Sequence, residues 1–174
     1  MGGGGFEGKL DLTDLQAFHV PLSELREHLS TLVTLGLEAI CRPASDVTIV
    51  HSYPGTVRTP FLNHMPDEMM KNLTFVPLEE CGERHIFLAT SAKYPPANGE
   101  IVGVMSEDGV EVALGSNGQK GTGVYSVGVD CEAPSSMVRE KLGRLREKGM
   151  VDEVWRHTEE EFKRITESET RSTT

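Results

Sequence analysis

The run Val47-Thr48-Ile49-Val50-His51-Ser52-Tyr53 stops abruptly at Pro54-Gly55, and this stop constrains the fold more than any other feature. Val47, Ile49 and Val50 give the segment the β-branched character of a strand in a sheet covered on both faces. Pro-Gly cannot continue a sheet ladder, so the strand must end in a turn. Upstream, "SELREHLSTLVTLGLEAI" sets Leu25, Leu29, Leu32, Val33, Gly36 and Ile40 on one helical stripe, widened by Leu35 and Leu37. The spacing predicts a largely buried helix over about 22–41, with Ser23 as N-cap and a short exit through Pro43. Helix, short loop and apolar strand make an α/β unit.

Downstream, "PDEMMKNL" (66–73) reads as a short helix and "LEECGERHIFLATSA" (78–92) as a second, with Ile86, Phe87 and Leu88 at its apolar end. "IVGVM" (101–105) is a strand candidate. "VEVALGSNGQKGTGVYSVGV" carries two alternating runs around a glycine-rich turn, the pattern of a β-hairpin. From Ser135 a helical pattern sets Val138, Leu142 and Leu145 on one face, breaks at Gly149 and resumes with Val151, Val154, Trp155 and Phe162. The four glycines at 2–5 read as loop, and 166–174 as a disordered polar tail after one domain over 1–165.

At 174 residues the chain suits one domain. Its 27 acidic against 17 basic side chains, formal charge -10, argue against nucleic acid or an anionic membrane as partner. Cys41, Cys81 and Cys131 are odd in number and widely spaced, which fits three reduced thiols rather than a disulfide framework or a zinc site. The histidines show no HxH or HExxH spacing, so no metal is expected. No stretch approaches the roughly 18 apolar residues of a membrane span, and the expectation is a soluble, cytoplasmic protein.

The helix ending in "LVTLGLEAI", the strand "VTIVHSY" and the turn "PGTVRT" together resemble the second half of a short-chain dehydrogenase/reductase. "EGKLDLTDL" and "GERHIFLATSAKYPP" are similar to a fungal subgroup, many of whose members sit near secondary-metabolite genes. The likeness covers about residues 6–165. It implies an α/β fold: a truncated Rossmann-like partial parallel sheet with flanking helices, plus the C-terminal β-hairpin and helix. It also implies NADP as cofactor and a small-molecule metabolite as substrate. Pro54, Gly55, Val57 and Thr59 match the turn that closes over the nicotinamide ring, and so become the cofactor-binding candidates. In open parallel sheets ligands lie at the carboxyl ends of strands, and Gly55 would let backbone approach a flat ring. Read without the likeness, the same turn is a generic strand terminator.

Other parts of that enzyme are missing. No glycine-rich loop joins a first strand to a first helix, where backbone amides would meet a pyrophosphate. "GSNGQKGTG" (115–123) reads as a hairpin turn. The positions implied for the catalytic Tyr-x-x-x-Lys pair hold Pro21 and Leu25, and no serine precedes Ser23. Hydride transfer by this chain alone is therefore not expected, and no catalytic residue is assigned. Two alternatives stand beside the oxidoreductase reading. One is a non-redox isomerase, cyclase or lyase using His51, Tyr53 or Arg58 in the leftover crevice; the other is a non-catalytic subunit or assembly protein. Without its preceding strands, segment 47–53 would expose an apolar edge, predicting a homodimer or a second subunit over it.

Overall fold

The computed structural model describes residues 3–100, 103–104 and 109–172. Its elements run α1 (Leu22–Cys41), β1 (Ile49–Ser52), β2 (Thr56–Val57), a 3-10 turn (Pro60–His64), α2 (Asp67–Met70), β3 (Phe75–Val76), α3 (Leu78–Thr90), β4 (Val124–Val127), α4 (Ser136–Glu147) and α5 (Met150–Ser172). β1 and β4 pair in parallel from Ile49↔Val124 to Ser52↔Val127, and β2 and β3 form a second parallel pair. The class is α/β, a small parallel sheet flanked by helices and consistent with a truncated Rossmann-like fold.

Each face of the β1/β4 pair has its own core. On one, α1 packs on α4 and α5 through Leu35, Leu142, Met150, Val151 and Val154, with Leu32 and Leu145 at the margin. Complete burial of a leucine such as Leu35 or Leu142 contributes roughly 1.5–3 kcal/mol. On the other, Tyr94, Ala113, Tyr125 and Val127 form a cluster joined by Val50 and Leu88. The Tyr94 and Tyr125 rings meet edge to face at 5.3 Å, and their hydroxyls donate to the carbonyls of Cys131 and Pro95, each at 2.6 Å.

A partly buried ion pair ties the helical layer to the loops. The Arg146 guanidinium donates to both oxygens of Glu38, at 2.8 and 2.6 Å, and to the Ser116 carbonyl at 2.7 Å. The pair fixes α4 against α1 and pins the turn that leads into β4.

Several expectations change in detail. Helix α1 starts at Leu22 with Pro21 as its cap residue, the Pro21 carbonyl accepting the Glu24 and Leu25 amides, so Ser23 lies inside the helix and not at its cap. The turn at 115–120 does reverse the chain, with an antiparallel Leu114↔Lys120 bridge and Gly118 at φ +80°. The run after it, however, becomes β4 and pairs in parallel with β1 rather than back on 110–114. Strand alternation is the same in both geometries, so sequence could not tell them apart. Of "IVGVM", residues 101, 102 and 105 lie outside the described residues, while Val104 bridges Ser91 in parallel. Helix α5 continues to Ser172, through most of the segment read as a tail. Gly149, at φ +73°, separates it from α4 as expected.

Among the described residues no strand pairs with the second edge of β1. Ile49 and Tyr53 donate their amides to Gly123 and Val127. Side alternation in a parallel strand then turns the amides of Val50 and Ser52 toward the open edge. β4 is buried throughout, while every β1 residue is only half-buried.

Candidate active site at the carboxyl end of β1

The chain leaves β1 through Tyr53 and turns at Pro54-Gly55, where Gly55 takes φ +84°. A Cβ on Gly55 would lie 2.5 Å from Val76 Cγ2 and 2.9 Å from Val129 Cγ2. The fold itself thus requires glycine here: β3 and the loop after β4 occupy the space that a side chain would need. Val57 then pairs with Val76, and Thr59 opens the 3-10 turn, its carbonyl accepting the Leu62 amide at 2.9 Å. Of the four candidates from sequence, Pro54 and Thr59 are exposed and Gly55 and Val57 half-buried. They line one continuous turn.

Cations stacked on rings flank it. The Tyr53 ring meets Phe6 edge to face at 4.8 Å, and the Arg26 guanidinium sits 4.7 Å above Phe6 and 6.0 Å from Tyr53. Arg58 covers Phe75 at 4.6 Å. The Tyr53 hydroxyl lies 3.4 Å from Thr56 Oγ1.

Beneath this surface is a polar cluster that sequence did not reveal. Glu7, buried to 2% exposure, accepts at Oε1 from Thr34 Oγ1 (2.6 Å) and Ser126 Oγ (2.5 Å). His51 Nδ1 is 2.9 Å from Thr34 Oγ1 and 3.7 Å from Glu7 Oε1. Burial pulls His51 below the ordinary histidine range, and the Glu7 charge opposes that shift without reversing it. Glu7 Oε2 is buried with no hydrogen-bond partner among the described residues. His51 meets Thr34 of α1, and Tyr53 meets Phe6 of the N-terminal segment.

The placement of that segment depends on glycine and on the hydroxyls of α1. Amides of Gly3 and Gly8 donate to Ser30 Oγ and Thr31 Oγ1, and the Gly5 amide donates to Ser126 Oγ. The signal that could have disclosed the cluster is Ser30, Thr31 and Thr34 at i, i+1 and i+4 on a helix read as largely buried. Hydroxyls there need partners from elsewhere in the chain.

As a nucleotide site the arrangement fits only in part. The exposed turn can serve as a wall beside a ring. The glycine-rich segment at 115–123 cannot cradle a pyrophosphate, because its amides are used internally: Gly115 to the Gln119 carbonyl, Gly118 to that of Gly115, and Gln119 to Asn117 Oδ1. The positions implied for the proton-relay pair, Pro21 and Leu25, meet only as the first helical turn, with the Leu25 amide donating to the Pro21 carbonyl. Among the described residues no group of His, Cys, Asp and Glu could hold a metal, and no helix is long and apolar enough to cross a membrane.

No protein-family model matches the chain, and no solved structure matches it. Among curated proteins it is similar to oxidoreductase AN1596 of Emericella nidulans, 35% identical over 172 residues that cover 90% of this chain and 50% of that protein. It is 29% identical to oxidoreductase andH of Emericella variicolor, over 95% of this chain and 52% of the other. It is 33% identical to the NmrA-like family domain-containing oxidoreductase notO of an Aspergillus species, over 90% and 46%. The chain spans about half the length of these fungal oxidoreductases.

Proposed function

We propose that this chain is the ring-side half of an NADP-dependent oxidoreductase of the short-chain dehydrogenase/reductase type, acting in fungal secondary metabolism on a small-molecule metabolite. The observation that carries the reading is the parallel β1/β4 pair ending in the Pro54–Thr59 turn, in a chain similar to fungal oxidoreductases over about half their length. Pro54, Gly55, Val57 and Thr59 form the wall beside the nicotinamide ring, with the Thr59 hydroxyl available to its carboxamide. The cofactor, when bound, supplies hydride. The amides for its pyrophosphate come from a nucleotide-binding segment whose strand pairs with the open edge of β1.

The test is a fluorescence titration of NADPH into this chain, alone and mixed with the part of oxidoreductase AN1596 that it does not match. The mixture should bind at micromolar concentration, at least tenfold more tightly than either component, and Thr59→Ala should weaken that binding. A mixture no tighter than its components overturns the reading. The open edge of β1 also favours a second reading, a non-catalytic subunit; light scattering that finds a dimer or a heteromer without NADPH binding would support it.

A further inference from the structure

The protons in the buried cluster can be placed one by one. Ser126 and Thr34 each carry a single hydroxyl proton, and both are directed at Glu7 Oε1. The Ser126 oxygen already accepts the Gly5 amide. With its proton on Glu7, Thr34 Oγ1 can only accept from His51 Nδ1, so that nitrogen carries the hydrogen. Nε2 is then the basic nitrogen of His51. It has no hydrogen-bond partner among the described residues, and the His51 side chain keeps 11% exposure.

We propose that Glu7, Thr34 and His51 form a proton-transfer relay at the carboxyl end of β1, with His51 Nε2 as the working base and enolisable carbonyl compounds as its substrate class. Thr34 and Glu7 are positioning residues. They hold the ring in one tautomer and set a carboxylate behind it to stabilise the imidazolium, the arrangement that makes a histidine an effective base. Glu7 is the charged group that acts on His51; α1 and β4 present the hydroxyls of Thr34 and Ser126. In the step, a C–H bond next to a carbonyl breaks, its proton passes to Nε2, and the electron pair moves into the carbonyl to give an enolate. Arg26 of α1, stacked on Phe6 and Tyr53, supplies positive charge for that oxygen. Return of the proton from Nε2 to another carbon completes an isomerisation with no oxidant or reductant. The relay needs no nucleotide and goes beyond the cofactor reading.

Long-range proton–nitrogen spectra of the labelled chain test it, with His51 assigned by its loss in His51→Gln. The neutral ring should be protonated at Nδ1. Glu7→Gln should lower the His51 midpoint by about one pH unit, a tenfold loss of proton affinity. Thr34→Val should shift the ring toward the Nε2–H form and slow carbethoxylation by diethyl pyrocarbonate several-fold, where a merely structural role would leave the labelling rate unchanged. A wild-type ring protonated at Nε2 overturns the relay without any variant. So does a folded Glu7→Gln chain whose His51 midpoint does not fall.

Discussion

Gly4 lies so close to His51 that a Cβ on it would fall 2.0 Å from the His51 carbonyl oxygen and 2.6 Å from that of Val127. The neighbours are backbone atoms of paired strands, which cannot give way as a side chain can. Gly4→Ala must therefore lift the N-terminal segment off the sheet and strain the Gly3–Ser30 and Gly5–Ser126 bonds. We expect a loss of about 2 kcal/mol in urea denaturation. Gly82 on α3 is the matched control: nothing lies within 4 Å of its Cβ position, and Gly82→Ala should gain about 0.5–1 kcal/mol through helix propensity.

Arg146 makes a second, independent prediction. Its pair with Glu38 is bidentate and largely shielded, the two side chains being 19% and 12% exposed. Arg146→Ala leaves the Glu38 carboxylate and the Ser116 carbonyl without their donor, and should cost about 3 kcal/mol. Arg146→Lys keeps the charge but not the fork, and should recover only part of that. Denaturation midpoints of the two variants decide the matter. Equal midpoints for Arg146→Ala and the parent would mean that the pair contributes nothing.

His51 sets a pH dependence whose sign follows from its environment. Burial holds its folded-state affinity for protons below that of the unfolded chain, so the unfolded state binds the extra proton first. This contribution to stability is full above about pH 6.5, the ordinary histidine value, and is lost as pH falls from there toward the depressed folded value. The denaturation midpoint should drop on acidification below about pH 6.5. His51→Gln should flatten that part of the curve, and an identical curve in the variant would remove His51 as the cause.

The parts of the fold legible in the sequence were those with local causes. The bounds of α1 follow from its 3.6-residue period between Pro21 and Pro43, and the break between α4 and α5 from Gly149. The stop of β1 follows from Pro54-Gly55. What was not legible rests on contacts between distant residues. Val33 and Ile40, on the stripe read as buried, are 43% and 42% exposed, while Ser30, Thr31 and Thr34 take the innermost face of α1. They do so because the N-terminal glycines bring backbone amides and Glu7 to that face. Glu7 meets Ser126 across 119 residues of sequence, a pairing no period or spacing reports. The choice of β1 as parallel partner for β4, rather than a hairpin, has the same origin.

Gly55 tests whether the turn was shaped by packing or by a ligand. If glycine is there only so that a flat ring can approach, Gly55→Ala folds like the parent and differs only in binding. If the fold requires it, alanine meets two separate penalties. One is the φ of +84°, which disfavours any Cβ by about 1–2 kcal/mol. The other is the contact at 2.5 Å with Val76 Cγ2 and 2.9 Å with Val129 Cγ2. The single variant should therefore lose about 2–4 kcal/mol by urea denaturation, the two terms together. Val76→Ala should relieve the closer contact without changing φ. The double variant Gly55→Ala/Val76→Ala should then be less destabilised than the sum of the singles by about 1 kcal/mol, the coupling expected of side chains in contact. Additive losses would place the strain in the backbone alone, and an undisturbed Gly55→Ala would return the glycine to the ligand.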